Sequence, residues 1–517
     1  MIKTTQENKR VRFIAFYLFI FFFSIYLLTA AGLNFFHMDA SILRIQVTKS
    51  IVDGSDLSVS DGLRGTDGKY YSWMGIGSSL LAVPFYLLGK LTGRPEITIS
   101  IMNQFTSAAT VVLVFLFTIT LGYSNRTSIF ISVFYGLGTI AWPLSKHPFD
   151  YPIATFFILL AIYFMYLYVA GKKSSYLMIS AVSFGVAFIT RTNSILALPS
   201  IFLLMIISLL KCPDFKATVK LTLRNVILFS IAFLPFLGIF FWYNHYRFGS
   251  IFETGYQLMA QRLGFDLFSG TTFLTGLSGL LMSPGKGFFY YSPIAILFFF
   301  TIGYFSKKHL EIALCFICLI LTYILFHSNY MFWHGDWAWG PRHISMITPF
   351  LMIPLAELFS SNAWIKIKLL RAIVYSIFIF SFIIQIAAVS VDFQKYFNDL
   401  RIENKVKFTE TYRDGVIPFI QPPLNTYFDW HKSPIRAQFK FIYKMATGIK
   451  DYRYSKLPNN ASKAEKIMAS PYMNVFDFWW LYEYFLYGSY WGFIAALLLL
   501  LTALYSCSRL CKPVNFR

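Results

Sequence analysis

The stretch Trp73-Met74-Gly75-Ile76-Gly77-Ser78-Ser79-Leu80-Leu81-Ala82-Val83-Pro84-Phe85-Tyr86-Leu87-Leu88-Gly89-Lys90-Leu91 decides how this chain is laid out. It is apolar and nearly long enough to cross a bilayer, yet it carries three glycines and a proline and runs into a lysine. Around it, clearer apolar runs lie near 13–33, 97–121, 127–146, 152–170, 176–190, 193–210, 225–243, 288–305, 309–326, 344–360, 371–390 and 489–506. Suppose 73–91 does not cross. The basic clusters Lys9/Arg10/Arg12, Arg126, Lys172/Lys173, Lys211/Lys216/Lys220/Arg224, Lys307/Lys308, Lys366/Lys368/Arg371 and Arg509/Lys512/Arg517 then all fall on one side. That side is the cytoplasm by the positive-inside rule. Suppose it does cross. Every later cluster then flips outward and only the N-terminal one stays inside. The segment therefore reads as a helix lying at the outer interface. The expected fold is an all-α polytopic membrane protein with about twelve transmembrane helices, both termini inside and interfacial helices in a large first outer loop.

Composition agrees. Of 517 residues, 56% are hydrophobic, 20% aromatic and only 13% charged, more apolar than a soluble core requires. The formal net charge of +21 would suggest nucleic acid in a soluble protein. Here much of the Lys and Arg lies in short loops between apolar runs, so topology accounts for it and no nucleic-acid partner is expected. Cys315 and Cys318 lie inside an apolar run, Cys507 and Cys511 in the tail and Cys212 in a basic loop, so no disulfide framework is read. The first run, Phe13 to Leu33, exceeds a signal-peptide core and lacks a small-residue cleavage site; it reads as a retained span.

The long connecting segments, 34–96, 244–286, 327–343 and 391–488, all fall outside, whereas the cytoplasmic loops are short. Work is therefore expected at the outer face. The chain divides into a transmembrane catalytic module over 1–390, an outer loop or small subdomain over 391–488, and a last span with a cytoplasmic tail over 489–517. The expected setting of such a layout is a bacterial inner membrane, with the site on the outer face.

Several outer residues have the chemistry for a site. Asp39, in Phe36-His37-Met38-Asp39-Ala40, follows the first span, where a carboxylate can take a proton from a hydroxyl; its alternative role is to cap the helical run Ala40 to Val52. Asp150 lies in the short turn Lys146-His147-Pro148-Phe149-Asp150-Tyr151-Pro152, where charges are costly unless used or solvated; it too has a capping alternative. Arg191 occupies an outer tip, and Arg342 and His343 follow the Trp- and Gly-rich run Trp333 to Pro341, which includes Trp339. The planar guanidinium suits phosphate oxygens, against the alternative of snorkelling or aromatic-belt anchoring. Arg247 and Tyr256 lie in a further outer run, and Lys286 in Ser283-Pro284-Gly285-Lys286-Gly287, where the lysine either meets an anion or belongs to a structural turn. There is no P-loop, dinucleotide fingerprint, HExxH, GxSxG or EF-hand, which leaves an ATP-driven pump unsupported. His147, His334 and His343 do not have the spacing of a known metal site, so no metal ligands and no cofactor are assigned.

The first span with an Asp just beyond it, the long outer loop with an interfacial helix, and Asp67-Gly68-Lys69-Tyr70-Tyr71-Ser72 before that helix resemble the GT-C superfamily. So do the turn carrying Asp150 and the runs Arg247-Phe248-Gly249-Ser250, Ser283 to Gly287 and Gly340-Pro341-Arg342. These are integral-membrane glycosyltransferases using polyprenyl-phosphate-linked sugars, among them the protein O-mannosyltransferases and the lipid A aminoarabinose transferases. The resemblance covers about 1–360 and is weak over 391–474. It implies inverting transfer of a sugar from a polyprenyl-phosphate donor to a hydroxyl of a lipid, glycan or protein acceptor. Asp39 is implied as general base, with Asp150 as the second acidic residue. Lys69 is similar in place to a lysine that meets the donor phosphate, and Arg191, Arg342 and His343 join it. His37, Tyr70, His147, Arg247, Tyr256, Lys286 and Trp339 would line the substrates. The competing expectation is a transporter or a flippase for lipids or lipid-linked sugars. Such proteins place ionisable residues near the bilayer midplane, whereas the candidates here gather at one face. A third, an assembly subunit without catalysis, would tolerate Ala at Asp39, Lys69 and Arg342.

Overall fold

In the computed structural model the described residues are 5–31, 39–54, 56–93, 95–209, 215–264, 266–268, 273–335, 338–361, 364, 366–402, 404–407, 409–413, 416–447 and 476–511. His37 and the side chain of Asp39 lie outside them. The chain runs through helices α1 (Thr5–Leu28), α2 (Asp39–Val52), α3 (Gly77–Thr92), α4 (Pro95–Thr120), α5 (Asn125–Gly138), α6 (Ala141–Ser145), α7 (Tyr151–Gly171), α8 (Ser174–Thr190), α9 (Leu198–Leu209), α10 (Phe215–Phe248), α11 (Tyr256–Leu263), α12 (Phe273–Met282), α13 (Phe288–Tyr291), α14 (Phe298–Lys308) and α15 (Leu310–Ser328). A broken helical run over Arg342–Ser360, the helix Lys368–Ser390 and the final helix Trp491–Cys511 follow.

Eight helices among the described residues are long and apolar enough to cross a membrane: Gln6–Leu28, Thr98–Thr120, Tyr151–Gly171, Thr218–Phe248, Leu310–Ser328, Arg342–Ser360, Lys368–Ser390 and Trp491–Cys511. With a hydrocarbon layer of about 30 Å to cover, this makes the chain an integral membrane protein. The other four apolar runs form shorter or interrupted helices: α5 with α6, α8, α9 behind a 3-10 turn at Thr192–Ala197, and α14 behind one at Pro293–Leu297. The all-helical expectation needs one amendment. Two small antiparallel hairpins are present, β1 (Leu63–Arg64) with β2 (Tyr70–Tyr71), and β3 (Thr409–Arg413) with β4 (Val416–Gln421).

Local chemistry explains the joints. α7 carries Pro152 in its first turn, where the missing N–H costs nothing, and is capped by Lys172, which takes the left-handed conformation (φ 54°) and turns the chain tightly into α8. α1 packs between α4 and the last helix, and its Tyr26 hydroxyl donates to the Gly136 carbonyl at 2.9 Å. One large core holds Phe22, Phe115, Phe117, Phe184, Phe316 and Phe350, all fully buried.

The ambiguous stretch forms α3, and both of its ends lie at the same end of the bundle. At its start, a Cβ on Gly77 would meet Thr190, the last residue of α8. At its finish, a Cβ on Gly89 would collide with Pro95 and Thr98 at the start of α4. Asn103, five residues or about 8 Å beyond Thr98 along α4, donates to the carbonyls of His147 (2.6 Å) and Phe149 (2.7 Å). A helix of 16 residues is about 24 Å long, so an upright α3 would set its ends at very different depths. α3 instead lies across the end that carries the 146–150 turn. Around Glu357, at the far end of α4, Tyr123 (2.6 Å) and Lys308 (2.8 Å) converge.

This arrangement predicts the sidedness of two cysteines in a cysteine-free background. Gly171→Cys has open space around its new side chain, and Asp61 is exposed. A membrane-impermeant maleimide should label Asp61→Cys from the outside only and Gly171→Cys from the cytoplasm only. Labelling of both from one side would mean that α3 crosses.

Candidate functional site

Three elements bring charge to the 146–150 turn. α2 contributes Arg44, α8 ends at Arg191, and Asp150 sits immediately before α7. Asp150 is 1% exposed. Its Oδ2 lies 3.0 Å from Arg44 Nη2 and its Oδ1 lies 2.9 Å from Arg191 Nη1, so each carboxylate oxygen faces its own arginine. Asp150 makes no side-chain cap to α7; the capping alternative is not what holds it. Burial pushes the carboxyl up, but Arg191 and Arg44 outweigh burial and hold it below the usual carboxylate range. Burial likewise disfavours the charge on Arg191, and Asp150 more than compensates.

The two arginines are anchored differently. Arg44 donates to the Pro148 carbonyl at 3.1 Å and contacts Met74 Sδ at 3.4 Å. Arg191 lies over the Tyr151 ring, its Cζ 3.9 Å from the centroid, and donates through Nε to Asn193 Oδ1 at 3.0 Å. Its side chain keeps 11% of its surface open. Arg342 comes in from the third side, 5.5 Å from the Phe149 ring and 5.8 Å from the Tyr151 ring, close enough to lower Asp150 further. Tyr151 hydroxyl pairs with His343 Nδ1 at 2.8 Å. Tyr256 is partly buried beside the cluster, its hydroxyl 3.4 Å from Met74 Sδ. Asp150, Arg191, Arg342, His343 and Tyr256 are therefore brought together.

Asp39 is the first residue of α2, and Arg44 stands five residues further on. Five residues correspond to about 7.5 Å of helical rise, so the backbone at Asp39 belongs to this end of the bundle. The remaining expected residues go elsewhere. Lys69, on the exposed hairpin turn, is ion-paired with Asp56, whose carboxyl this lysine holds well below the ordinary range. Tyr70 is 37% exposed on β2. Arg247 is buried and bonds the carbonyls of Ser72, Met74 (3.3 Å) and Tyr243 (3.1 Å), stitching α10 to the chain entering α3. Lys286 is fully buried, donates to the Ala338 carbonyl at 2.6 Å and lies over the Phe393 and Tyr427 rings. Trp339 packs on Tyr291 at 4.8 Å. His147 gives its carbonyl to Asn103, and burial pushes its imidazole down to about 4, so it is neutral at physiological pH. No group of three or more His, Cys, Asp or Glu able to hold a metal occurs among the described residues.

Sequence reading missed Arg44, Asn193 and His327. Arg44 had a signal: it is a lone arginine in the first helix after the opening span, in a segment that the positive-inside reading expects to be poor in basic residues. Asn193 and His327 had none.

Removing the carboxylate should expose how much the cluster depends on it. Asp150→Ala removes the carboxylate that Arg44 and Arg191 share and should destabilise the protein by about 3–5 kcal/mol, seen as a lower Tm in detergent. The depressed carboxyl also sets a pH window. Its contribution is complete above the unfolded value of about 4 and is lost only as pH falls through the lower folded value. An unchanged Tm for Asp150→Ala would show that the pair carries no stability.

No protein-family model matches the chain, and no curated protein matches it. Among solved structures, it is similar to ArnT from Cupriavidus metallidurans in the apo state, with a TM-score of 0.48 and 14% identity over 97% of this chain and 78% of that one. It is similar to the same protein bound to undecaprenyl phosphate, with a TM-score of 0.46 and 13% identity over 96% of this chain and 77% of that one. It is also similar to the Archaeoglobus fulgidus oligosaccharyltransferase in the apo form, with a TM-score of 0.49 and 12% identity over 79% of this chain and 61% of that one. Both proteins are GT-C glycosyltransferases, the superfamily that the sequence resembles. At these values the likeness assigns no activity and no site residue to this chain.

Proposed function

We propose that the protein transfers a sugar from a polyprenyl-phosphate donor to an acceptor hydroxyl, at the outer end of the bundle where Asp150 gathers its arginines. One observation carries this reading. A single buried carboxylate faces two guanidinium groups, 3.0 and 2.9 Å away, with a third arginine alongside. Asp150 balances one of the two charges it touches. A surplus positive charge next to the lipid is costly unless an anion completes it, and the guanidinium fork fits phosphate oxygens. A donor with an apolar tail and a phosphate head would place each part in its matching medium.

In this reading Asp39 takes the proton from the acceptor hydroxyl as its oxygen attacks the anomeric carbon. The bond from that carbon to the phosphate oxygen breaks, its electron pair stays on the phosphate, and the configuration inverts. Arg191 and Arg342 receive the charge that develops on the leaving phosphate. Asp150 serves by position: both of its oxygens are occupied and its carboxyl is held below the usual range, which makes it a poor proton acceptor. Lys69, paired with Asp56, leaves the phosphate to the arginines.

The test is transfer by purified protein in lipid nanodiscs, with a panel of undecaprenyl-phosphate sugars as donors and products read by mass spectrometry. Asp39→Asn should keep its fold and lose about 10²–10⁴ in rate, the usual contribution of a general base. Parental transfer by Asp39→Asn would remove the base assignment. A panel in which no polyprenyl-phosphate sugar is consumed would remove the proposed activity.

A further inference from the structure

Arg191 is supported from behind as well as by Asp150, and the polarity of that support is fixed at both ends. His327, near the end of α15, is 2% exposed. Its Nδ1 lies 2.9 Å from the Tyr323 carbonyl oxygen. A backbone carbonyl only accepts, so Nδ1 carries the proton, and a neutral imidazole then presents a lone pair at Nε2. Asn193 Nδ2 lies 3.0 Å from that nitrogen and donates to it. The other end of the same amide, Oδ1, accepts from Arg191 Nε at 3.0 Å. A guanidinium only donates, so the chain from Tyr323 through His327 and Asn193 to Arg191 has one consistent direction. It continues into Asp150 through Arg191 Nη1. Two further contacts hold its members still. The His327 ring stacks on His343 at 5.5 Å and 12°, and the Tyr323 hydroxyl donates to the Asn193 carbonyl at 3.3 Å.

We propose that His327 and Asn193 are positioning residues for Arg191. Neutral His327, held as the Nδ1–H tautomer, turns the Asn193 amide so that its oxygen faces Arg191 Nε. That contact keeps the guanidinium over the Tyr151 ring and aims its open edge at the phosphate of a polyprenyl phosphate. Loss of the acceptor at Nε2 removes what orients the amide. A flipped amide sets an NH₂ group against the Nε–H donor and turns the guanidinium away. This inference rests on the reading of Arg191 as a phosphate contact.

Binding of undecaprenyl phosphate and of undecaprenol to the full chain in nanodiscs tests it, with the neutral alcohol reporting general damage. Arg191→Ala should weaken the phosphate selectively. His327→Leu and Asn193→Leu should each weaken it about tenfold, the scale of one hydrogen bond to a charged group, and leave undecaprenol unchanged. The double variant should be no weaker than either single one, because the chain is already broken. His327→Gln, whose Oε1 can accept from Asn193, should bind within about twofold of the parent. Parental phosphate affinity in His327→Leu, with Arg191→Ala impaired, would overturn the relay and leave the phosphate reading standing. Equal loss of phosphate and undecaprenol in both Leu variants would also overturn it, by making the pair merely structural. Parental affinity in Arg191→Ala, or a parent that does not prefer the phosphate, would overturn the phosphate reading and this inference with it.

Discussion

The carboxylate of Asp150 lies where neither water nor lipid can solvate it, and it keeps its charge because two guanidinium groups stand against its two oxygens. Those groups come from separate parts of the chain, α2 and the end of α8, so the ion pairs exist only when three elements are in register. Each partner is also tied to backbone or side-chain acceptors: Arg44 to Pro148, Arg191 to Asn193. The cluster thus couples the placement of the first connecting segment to that of the α7–α8 hairpin. In it one carboxylate faces two guanidinium groups, and that pairing is the physical ground for the proposal that an anion binds there.

The position of α3 makes the cluster possible. Its glycines allow the chain to pass against Thr190 on one side and Pro95 and Thr98 on the other, without the stand-off that a Cβ would impose. Because α3 lies across the end of the bundle, α2 and the 146–150 turn share one depth, and Arg44 can reach Asp150. Arg247 reinforces this from α10 by bonding the carbonyls of Ser72 and Met74 just ahead of α3. It holds the entry to the helix while buried and bonded to backbone carbonyls and to the Asn244 side chain.

Much of the site was legible residue by residue. Asp150, Arg191, Arg342 and His343 stood out because charged and forked side chains in short outer turns are costly without a use, and the structure brings them together. Lys69 and Lys286 stood out for the same reason but found local partners, Asp56 for one and the Ala338 carbonyl with two rings for the other. A lysine has three donors on a flexible stem and pairs with whatever acceptor the fold places near it, so its sequence setting predicts little about its contacts. Asn193 and His327 were invisible for the opposite reason. Nothing in an asparagine after a tip or a histidine at the end of an apolar run announces that the two meet from more than a hundred residues apart.

The sequence by itself determined the medium and the helical class. Apolar runs of bilayer length demand helices that satisfy their own backbone, and the one-sided Lys and Arg clusters give the expectation that the ambiguous Trp73 to Leu91 stretch lies at an interface. Periodicity and charge distribution suffice for this because lipid discriminates by composition averaged over whole segments. Only the tertiary structure decided which charges meet. It showed that Asp150 has both oxygens taken by Arg44 and Arg191, and that His327 reaches Arg191 through Asn193. It also put Lys69 with Asp56. Those outcomes depend on distances of about 3 Å and on donor directions, which no segment average contains.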